Sequence, residues 1–174
     1  MMKKNTTLKI LSFIGKYIGI VFICAFFHLA AICAELECKE KGTVTWIVDG
    51  DTIIVKLPIK SVKVRLLGID TPEFHNKDGV NEYFAYEAFL YTKEHLKGKT
   101  VCLVKDPLND CDIYGRILRY VYIDRRLFNA ELLEDGYAEI YNKGNFEMKP
   151  YFNLLQQKAK KAHIGIWRTA RRYK

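Results

Sequence analysis

The chain has 174 residues, of which 49% are hydrophobic and 28% charged, and its formal net charge is +8. This composition excludes an intrinsically disordered chain, and the length excludes two domains of ordinary size. Residues 35–157 contain 17 basic and 20 acidic side chains, whereas residues 158–174 contain seven basic side chains and no acid. The basic C-terminal tail either attracts an anionic partner or forms a solvated helix end.

The N-terminal segment has the organisation of an export signal. Lysines precede an apolar run that extends from Ile10 to Ala34, where polar residues begin abruptly. A basic start, an apolar stretch and a small residue before the polar chain are typical of a cleaved secretory signal. The run is broken once, at Lys16, and its part from Tyr17 to Ala34 is also near the minimum length of a membrane-spanning helix. We therefore expect an apolar helix in residues 1–34, as signal peptide or membrane anchor, and one secreted or periplasmic domain over residues 35–174.

After this segment come five predicted strands and three predicted helices. The strands, rich in β-branched and apolar residues, cover 43–48, 51–57, 62–67, 100–105 and 117–123. The helices, which show 3.6-residue periodicity, cover 82–96, 127–135 and 147–162. This order predicts an α+β fold in which a five-stranded Greek-key OB barrel carries about three helices. Trp46 is expected to pack in the barrel, and Trp167 under the last helix.

Three cysteines, Cys38, Cys102 and Cys111, follow the apolar segment. In an oxidising compartment one pair could form a disulfide and leave one free thiol, and Cys102–Cys111 would close the shorter loop. Ordinary packing in the core explains them equally well. A zinc site is not indicated, because the sequence contains no Cys-x-x-Cys and no cluster of histidines.

Acidic residues lie at two turns of the predicted three-stranded meander. Asp49 and Asp51 flank Gly50, and Asp70 follows the third strand. An antiparallel meander brings the start of its second strand beside the end of its third, so Asp51 and Asp70 can converge. Two carboxylates, the carbonyl of Thr71 and waters would satisfy a calcium ion. Each Asp taken alone is equally typical of an ordinary turn or loop cap.

Two arginines strengthen this interpretation. Arg65 interrupts an apolar strand, where a charge must be paired or face a site. Arg116 opens the fifth predicted strand, and guanidinium groups bind phosphate bidentately. With a divalent cation, the two arginines could stabilise the charge that develops as water attacks a phosphodiester. Glu73 lies just beyond Asp70, where it could accept a proton from the attacking water.

Three of these segments resemble the staphylococcal nuclease (thermonuclease) family: VDGDTIIVKL, VRLLGIDTPE and DIYGRILRYVYID. GVNEYFAYEAFLYTKE and the later Asp135-Gly136-Tyr137-Ala138 match the family in order and spacing, so the resemblance covers about residues 42–167. It implies an exported, monomeric, calcium-dependent nuclease that cuts DNA and RNA with little sequence preference and leaves 3′-phosphates.

The resemblance also assigns roles to individual residues. It implies that Asp51, Asp70 and the Thr71 carbonyl bind one Ca²⁺ ion, that Glu73 is the general base, and that Arg65 and Arg116 bind the scissile phosphate. It implies further that Asp49 shapes the calcium loop and that Tyr114 contacts a terminal phosphate.

The sequence departs from the family pattern at two points. Ile113 stands where well-studied members carry a phosphate-binding lysine. The tyrosine that stacks on a base has no unambiguous counterpart, and Tyr141 and Tyr137 are both candidates. The alternative function is a non-catalytic OB module that binds single-stranded nucleic acid or a protein partner. The complete set of two carboxylates, Glu73 and two arginines favours the enzyme.

Overall fold

A three-stranded antiparallel meander begins the part of the chain that the computed structural model describes, which comprises residues 38–74 and 79–168. The strands are β1 (Lys41–Asp49), β2 (Thr52–Lys56), β3 (Ser61–Leu66), β4 (Ile69–Asp70), β5 (Thr100–Lys105), β6 (Ile117–Ile123), β7 (Arg126–Leu127) and β8 (Glu139–Ile140). The helices are α1 (Ala85–Leu96), α2 (Phe128–Glu134) and α3 (Lys149–Ala162), and a 3₁₀ turn follows over Gly165–Trp167.

The main sheet closes into a barrel. Its strand order is β3-β2-β1-β5-β6-β7, and β6 pairs in parallel with β3, where Val64 lies opposite Ile117. Residues that alternate along the strands, such as Val55, Val64 and Val121, are fully buried inside it. The five predicted barrel strands and the three predicted helices are thereby confirmed. The short strands β4 and β8 form a separate two-stranded sheet that the sequence did not predict.

Helix α1 begins three residues later than the sequence predicts. Phe84 has a left-handed backbone, with φ of 69°, and the amide of Ala85 donates to the carbonyl of Glu82 at 3.1 Å. Residues 82–84 therefore form a turn that leads into the helix. The proposed signal or anchor over residues 1–34 lies outside the described residues. Within the described part, no helix has the length and apolar character needed to cross a membrane.

The prediction that Trp46 packs inside the barrel is wrong. An irregularity between Val44 and Trp46 in the pairing of β1 with β2 places both Thr45 and Trp46 on the outer surface. A bulge of this kind inserts one extra residue and shifts the alternation of side chains. As a result, Trp46 is 62% exposed, while Ile47 resumes the buried pattern.

The structure contains a disulfide between Cys38 and Cys102, with Cα atoms 5.6 Å apart. The shorter Cys102–Cys111 loop is not closed, and Cys111 is an exposed free thiol. The pairing follows from the fold, because β1 pairs with β5 and places Lys41 opposite Cys102. The start of the described chain is thus covalently attached to the barrel.

Candidate active site

The turn between β1 and β2 is held against the segment that follows β3. The carboxylate of Asp51 is fully buried, and its Oδ2 accepts a hydrogen bond from the amide of Thr71 at 3.0 Å. The amide of Leu66 donates to the carbonyl of Asp51 at 2.8 Å. A Cβ placed on Gly50 would lie 2.7 Å from Thr71 Oγ1, so only glycine allows this approach. The two acidic turns therefore converge, as the meander predicts.

Helix α1 also holds this turn in place. Thr92, which is fully buried on the helix, donates its hydroxyl to the carbonyl of Gly50 at 2.5 Å. The contact joins residues 42 positions apart in the chain. The acidic turn is thus fixed from two sides, by α1 and by the segment after β3.

Arg65 lies between the two converging carboxylates. Its Nη1 forms an ion pair with Asp51 and its Nη2 forms one with Asp70. Burial alone would lower the pKa of the Arg65 guanidinium, but the charges of Asp51 and Asp70 together raise it. The guanidinium therefore carries the positive charge that balances two carboxylates in this structure.

Asp49 and Glu73 add two more carboxyl groups beside this pair. Burial, together with the charges of Asp51 and Glu73, raises the pKa of Asp49 to about 7. The Oδ1 of Asp49 accepts a hydrogen bond from the amide of Gly50 at 2.8 Å. Glu73 is exposed, and its amide donates to Glu82 Oε2 at 2.9 Å. Asp51, Asp70 and Glu73 outnumber the single arginine, so the region has a negative potential even where Asp49 is protonated.

This region has the donor chemistry of a hard-cation site. Its potential ligands are all oxygens, and Thr71 Oγ1 is a buried hydroxyl without a hydrogen-bond partner. Among the described residues, however, no three His, Cys, Asp or Glu side chains are arranged to hold a metal ion. Arg65 occupies both Asp51 and Asp70, so a cation would need the guanidinium to move. The oxygen donors fit calcium once that ion pair is released.

A cavity of about 370 Å³ connects Arg65 with Arg116. Tyr114, Tyr141 and Lys143 also line it. The guanidinium carbon of Arg116 lies 5.5 Å from the centre of the Tyr114 ring, a cation–π arrangement. Two arginines and a lysine around one cavity make it suited to an anionic ligand with an aromatic or heterocyclic part.

Arg116 is positioned by Asp112, which was not among the predicted site residues. The Nε of Arg116 donates to Asp112 Oδ2 at 2.6 Å, and the amides of Tyr114 and Arg116 donate to Oδ1, each at 2.9 Å. Burial alone would raise the pKa of Asp112, but these hydrogen bonds lower it. The signal was present in the sequence, because an Asp that precedes a Gly turn by three residues often bonds to the amides after it.

The cavity also separates the two candidate tyrosines. Tyr141 lines it, whereas the ring of Tyr137 stacks on Tyr91 at 4.2 Å and packs against the hydrophobic core. Lys143, two residues beyond Tyr141, also lines the cavity and was not among the predicted site residues. No local pattern marks it, since its place at the cavity depends on the path of the loop before α3.

Asp70 borders a second cavity of about 360 Å³ with a different character. Its polar lining includes Thr71, Glu82 and Glu139 and contains no lysine or arginine. An anionic ligand is repelled there by the carboxylates. Of the two cavities beside the carboxyl cluster, the one with Arg65 and Arg116 is therefore the better site for a phosphate.

Known proteins share this sequence pattern. Residues 63–169 match the model of the family described as staphylococcal nuclease homologues. A thermonuclease of Staphylococcus hyicus is 34% identical over 122 residues, which cover 70% of this chain and 72% of that protein. An uncharacterized protein of Methanocaldococcus jannaschii is 37% identical over 149 residues, covering 72% of this chain and 70% of that protein.

A third relative has a different length. The endonuclease YncB of Bacillus subtilis is 33% identical over 122 residues, which cover 69% of this chain and 58% of that protein. The family match begins within β3 and extends beyond α3, and so includes Arg65, the Asp70–Glu73 segment and Arg116. The chain belongs to the family of staphylococcal nuclease homologues.

Proposed function

We propose that the protein is a nuclease that hydrolyses phosphodiester bonds of DNA and RNA with little sequence preference and leaves 3′-phosphates. The observation that carries this proposal is the single cavity that joins Arg65 to Arg116 at the edge of a carboxyl cluster. The thermonuclease of Staphylococcus hyicus and the endonuclease YncB of Bacillus subtilis support the same chemistry.

Asp51, Asp70 and the carbonyl of Thr71 would hold one Ca²⁺ ion. A calcium ion held there would supply positive charge that offsets the charge of the phosphate and of the attacking water. Asp49 lies beside these ligands, where burial and the charges of Asp51 and Glu73 raise its pKa to about 7, so a bound cation would favour its ionised form. Release of Arg65 from Asp51 and Asp70 frees its guanidinium for the phosphate. The proposed calcium ligands and the proposed phosphate contact thus both depend on the position of Arg65.

The reaction uses the remaining residues in separate roles. Glu73 accepts a proton from the water whose oxygen forms the new bond to phosphorus. The bond from phosphorus to the 5′ oxygen breaks, and that oxygen takes a proton from solvent, which leaves a 3′-phosphate and a 5′-hydroxyl. Arg65 and Arg116 donate to the non-bridging oxygens, where charge increases in the transition state. Tyr114 and Tyr141 contact the flanking phosphate and base.

Export is part of the proposal. The Cys38–Cys102 disulfide is typical of proteins outside the reducing cytoplasm, and the apolar segment over residues 1–34 would direct the chain there. N-terminal sequencing of protein recovered from cell fractions distinguishes a cleaved signal peptide from an uncleaved membrane anchor. A mature chain that starts near Glu35 indicates a cleaved signal, and an intact Met1 in the membrane fraction indicates an anchor. Intact protein in the cytoplasm contradicts export.

A digestion assay tests the enzymatic proposal. Single-stranded DNA and RNA are incubated with the purified protein in calcium and, separately, in excess chelator, and the product ends are identified. We expect both polymers to be cut in calcium only, with 3′-phosphates on the products. Binding of the polymers without cleavage in either condition would favour the non-catalytic OB module.

A further inference from the structure

The outer face of the β1–β2–β3 meander carries a strip of basic and aromatic side chains that starts at the candidate active site. In β3 the exposed positions alternate with core positions, so Lys63 and Arg65 lie on the same outer face. Antiparallel pairing places Lys63 opposite Ile54, and Ile54 opposite Trp46. Residues directly opposite each other share one face of a sheet. The strip therefore runs from Arg65 through Lys63 and across β2 to Trp46.

Trp46 contacts a lysine that directly follows helix α1. The Nζ of Lys97 lies 4.5 Å from the centre of the Trp46 ring and donates to the carbonyl of Thr45. The bulge in β1 turns the ring outward, and 62% of the residue is exposed. A large aromatic side chain with this exposure, next to fixed positive charge, is costly to solvate and suits a ligand with flat rings and anionic groups.

The charge of the strip is of one sign. Lys56 lies two residues beyond Ile54 on β2, opposite Ser61, and it is exposed. The sequence of the three strands contains no carboxylate between Thr43 and Val48, between Thr52 and Lys56, or between Ser61 and Arg65. The carboxyl groups are confined to the turn ends of these strands. A polyanion that leaves the site at Arg65 thus meets attractive charge along this face.

We propose that this strip, defined by Trp46, Lys56, Lys63 and Lys97, binds the part of a single-stranded nucleic acid that continues beyond the cleaved phosphate. The lysines contact successive phosphates, and one base stacks on the Trp46 ring. Base–aromatic stacking tolerates any sequence because every base has a π-face. This proposal rests on the proposed function, since it takes Arg65 as the point where the strand enters the site.

The spacing of the strip agrees with this partner. Neighbouring strands lie about 4.8 Å apart, and residues two apart along a strand are separated by roughly 7 Å. Trp46 is two strands from Lys63, and Lys63 is two residues from Arg65. The path from Arg65 to Trp46 is therefore on the order of 12–17 Å, which is more than one nucleotide can span. Substrates of one or two nucleotides should not reach Trp46.

Binding is tested first, without cleavage. The full-length protein in chelator is titrated with an unlabelled, non-fluorescent twelve-nucleotide DNA strand while tryptophan emission is recorded. The chain has two tryptophans, so Trp46→Phe identifies the source of the signal. We expect quenching that is lost in Trp46→Phe, and a Kd about tenfold weaker in Trp46→Ala. Quenching that persists in Trp46→Phe, or unchanged affinity in Trp46→Ala, overturns the proposal.

Matched variants separate the strip from general charge and exposure. Tyr151, on α3, is 48% exposed, and Lys158 is an exposed lysine on the same helix. Lys63→Gln and Lys97→Gln should each reduce the slope of log Kd against log salt by roughly 0.7. Tyr151→Ala and Lys158→Gln should leave Kd within twofold. Equal effects of strip and control variants would show non-specific attraction and contradict the proposal.

Cleavage provides a second, independent readout. KM for the twelve-nucleotide strand should rise about tenfold in Trp46→Ala, whereas KM and kcat for a dinucleotide should stay within twofold. Equal changes for both substrates would show that Trp46 acts on the site itself and would overturn the proposal. Failure of the wild-type protein to cut either substrate would contradict the proposed function, while the titration in chelator would still decide whether the strip binds nucleic acid.

Discussion

Arg65 forms an ion pair with Asp51, a carboxylate that the fold buries completely, and the same guanidinium pairs with Asp70. A buried carboxylate needs a positive partner, because an unpaired charge in the interior is strongly destabilising. The residue proposed to bind phosphate therefore also balances the proposed calcium ligands. Arg65 cannot pair with Asp51 and Asp70 and bind the phosphate at the same time, and this exclusion has measurable consequences.

The first consequence concerns stability. Arg65→Ala should lower the free energy of unfolding by roughly 3 kcal/mol in chelator, because Asp51 loses its counter-charge. In saturating calcium the loss should be clearly smaller, since the cation then supplies the positive charge. Denaturant unfolding in the two buffers measures both values.

A control for this experiment is Arg126, which pairs with Glu131 at 3.2 Å and is 63% exposed, against 12% for Arg65. Arg126→Ala should cost less than about 1 kcal/mol, with no dependence on calcium. A loss in Arg65→Ala that is identical in chelator and calcium would show that no cation replaces the guanidinium.

Glu73 is predicted to act in the chemical step and not in metal binding. Glu73→Gln should reduce kcat by a factor of roughly 10²–10⁴ while calcium affinity stays within a few-fold of wild type. Asp51→Ala should instead abolish calcium binding. Calorimetric titration of calcium, combined with single-turnover cleavage, separates these effects. If Glu73→Gln weakens calcium as much as Asp51→Ala does, the role of general base is wrong.

Asp112 is predicted to position Arg116 and to stabilise its loop. Hydrogen bonds from Arg116 and two amides lower the pKa of Asp112 below its ordinary value of 3.8. A lowered pKa in the folded state gives stability that is full above the unfolded pKa and is lost as the pH falls through the folded pKa. Asp112→Asn should therefore cost about 1 kcal/mol near pH 7, and the difference should disappear as the pH falls through the lowered pKa of Asp112.

The positioning role of Asp112 is tested by the kinetics of the Asp112→Asn variant. Asp112→Asn should raise KM and lower kcat, because Asn keeps an acceptor for the amides but loses the charge that holds Arg116. Asp124→Asn is a suitable control, since Asp124 is exposed and has a left-handed backbone that Asn also adopts. A pH-independent stability loss in Asp112→Asn would contradict the ion-pair explanation.

Lys143 is predicted to supply part of the charge that Ile113 lacks. Both residues line the cavity with Arg116, and Ile113 is 91% exposed there. Lys143→Gln should weaken an oligonucleotide with a terminal phosphate roughly five- to tenfold, and Ile113→Lys should strengthen it by a similar factor. The dephosphorylated oligonucleotide is the control. Equal effects on both oligonucleotides would place neither residue at the terminal phosphate.

The geometry of the candidate site follows largely from local patterns. The proximity of Asp51 and Asp70 can be predicted because the turn positions of a meander determine which strand ends lie side by side. Arg65 was marked by its place in an apolar strand. Asp112 was missed although its turn is local, and Lys143 was missed because its place depends on the loop between β8 and α3.

The wrong placement of Trp46 and the undecided pairing of the cysteines have a common physical origin. Strict alternation from Thr43 puts Trp46 inside, but the bulge after Val44 reverses its direction, and a bulge leaves no mark in the hydrophobic pattern. The disulfide is likewise set by the pairing of β1 with β5 and not by separation in the sequence. Both features depend on contacts between strands that are far apart in the chain.

The central claim is that the cavity between Arg65 and Arg116 hydrolyses phosphodiester bonds with calcium held at Asp51 and Asp70. The most direct measurement is single-turnover cleavage of an oligonucleotide with one reporter-flanked phosphodiester, by wild type, Arg116→Lys and Arg116→Ala, in calcium and in chelator. We expect cleavage by wild type in calcium only, and a loss of roughly 10²–10³ in rate for both variants, since lysine cannot replace the bidentate contact. Cleavage that continues in chelator, or normal rates in both variants, would contradict the claim.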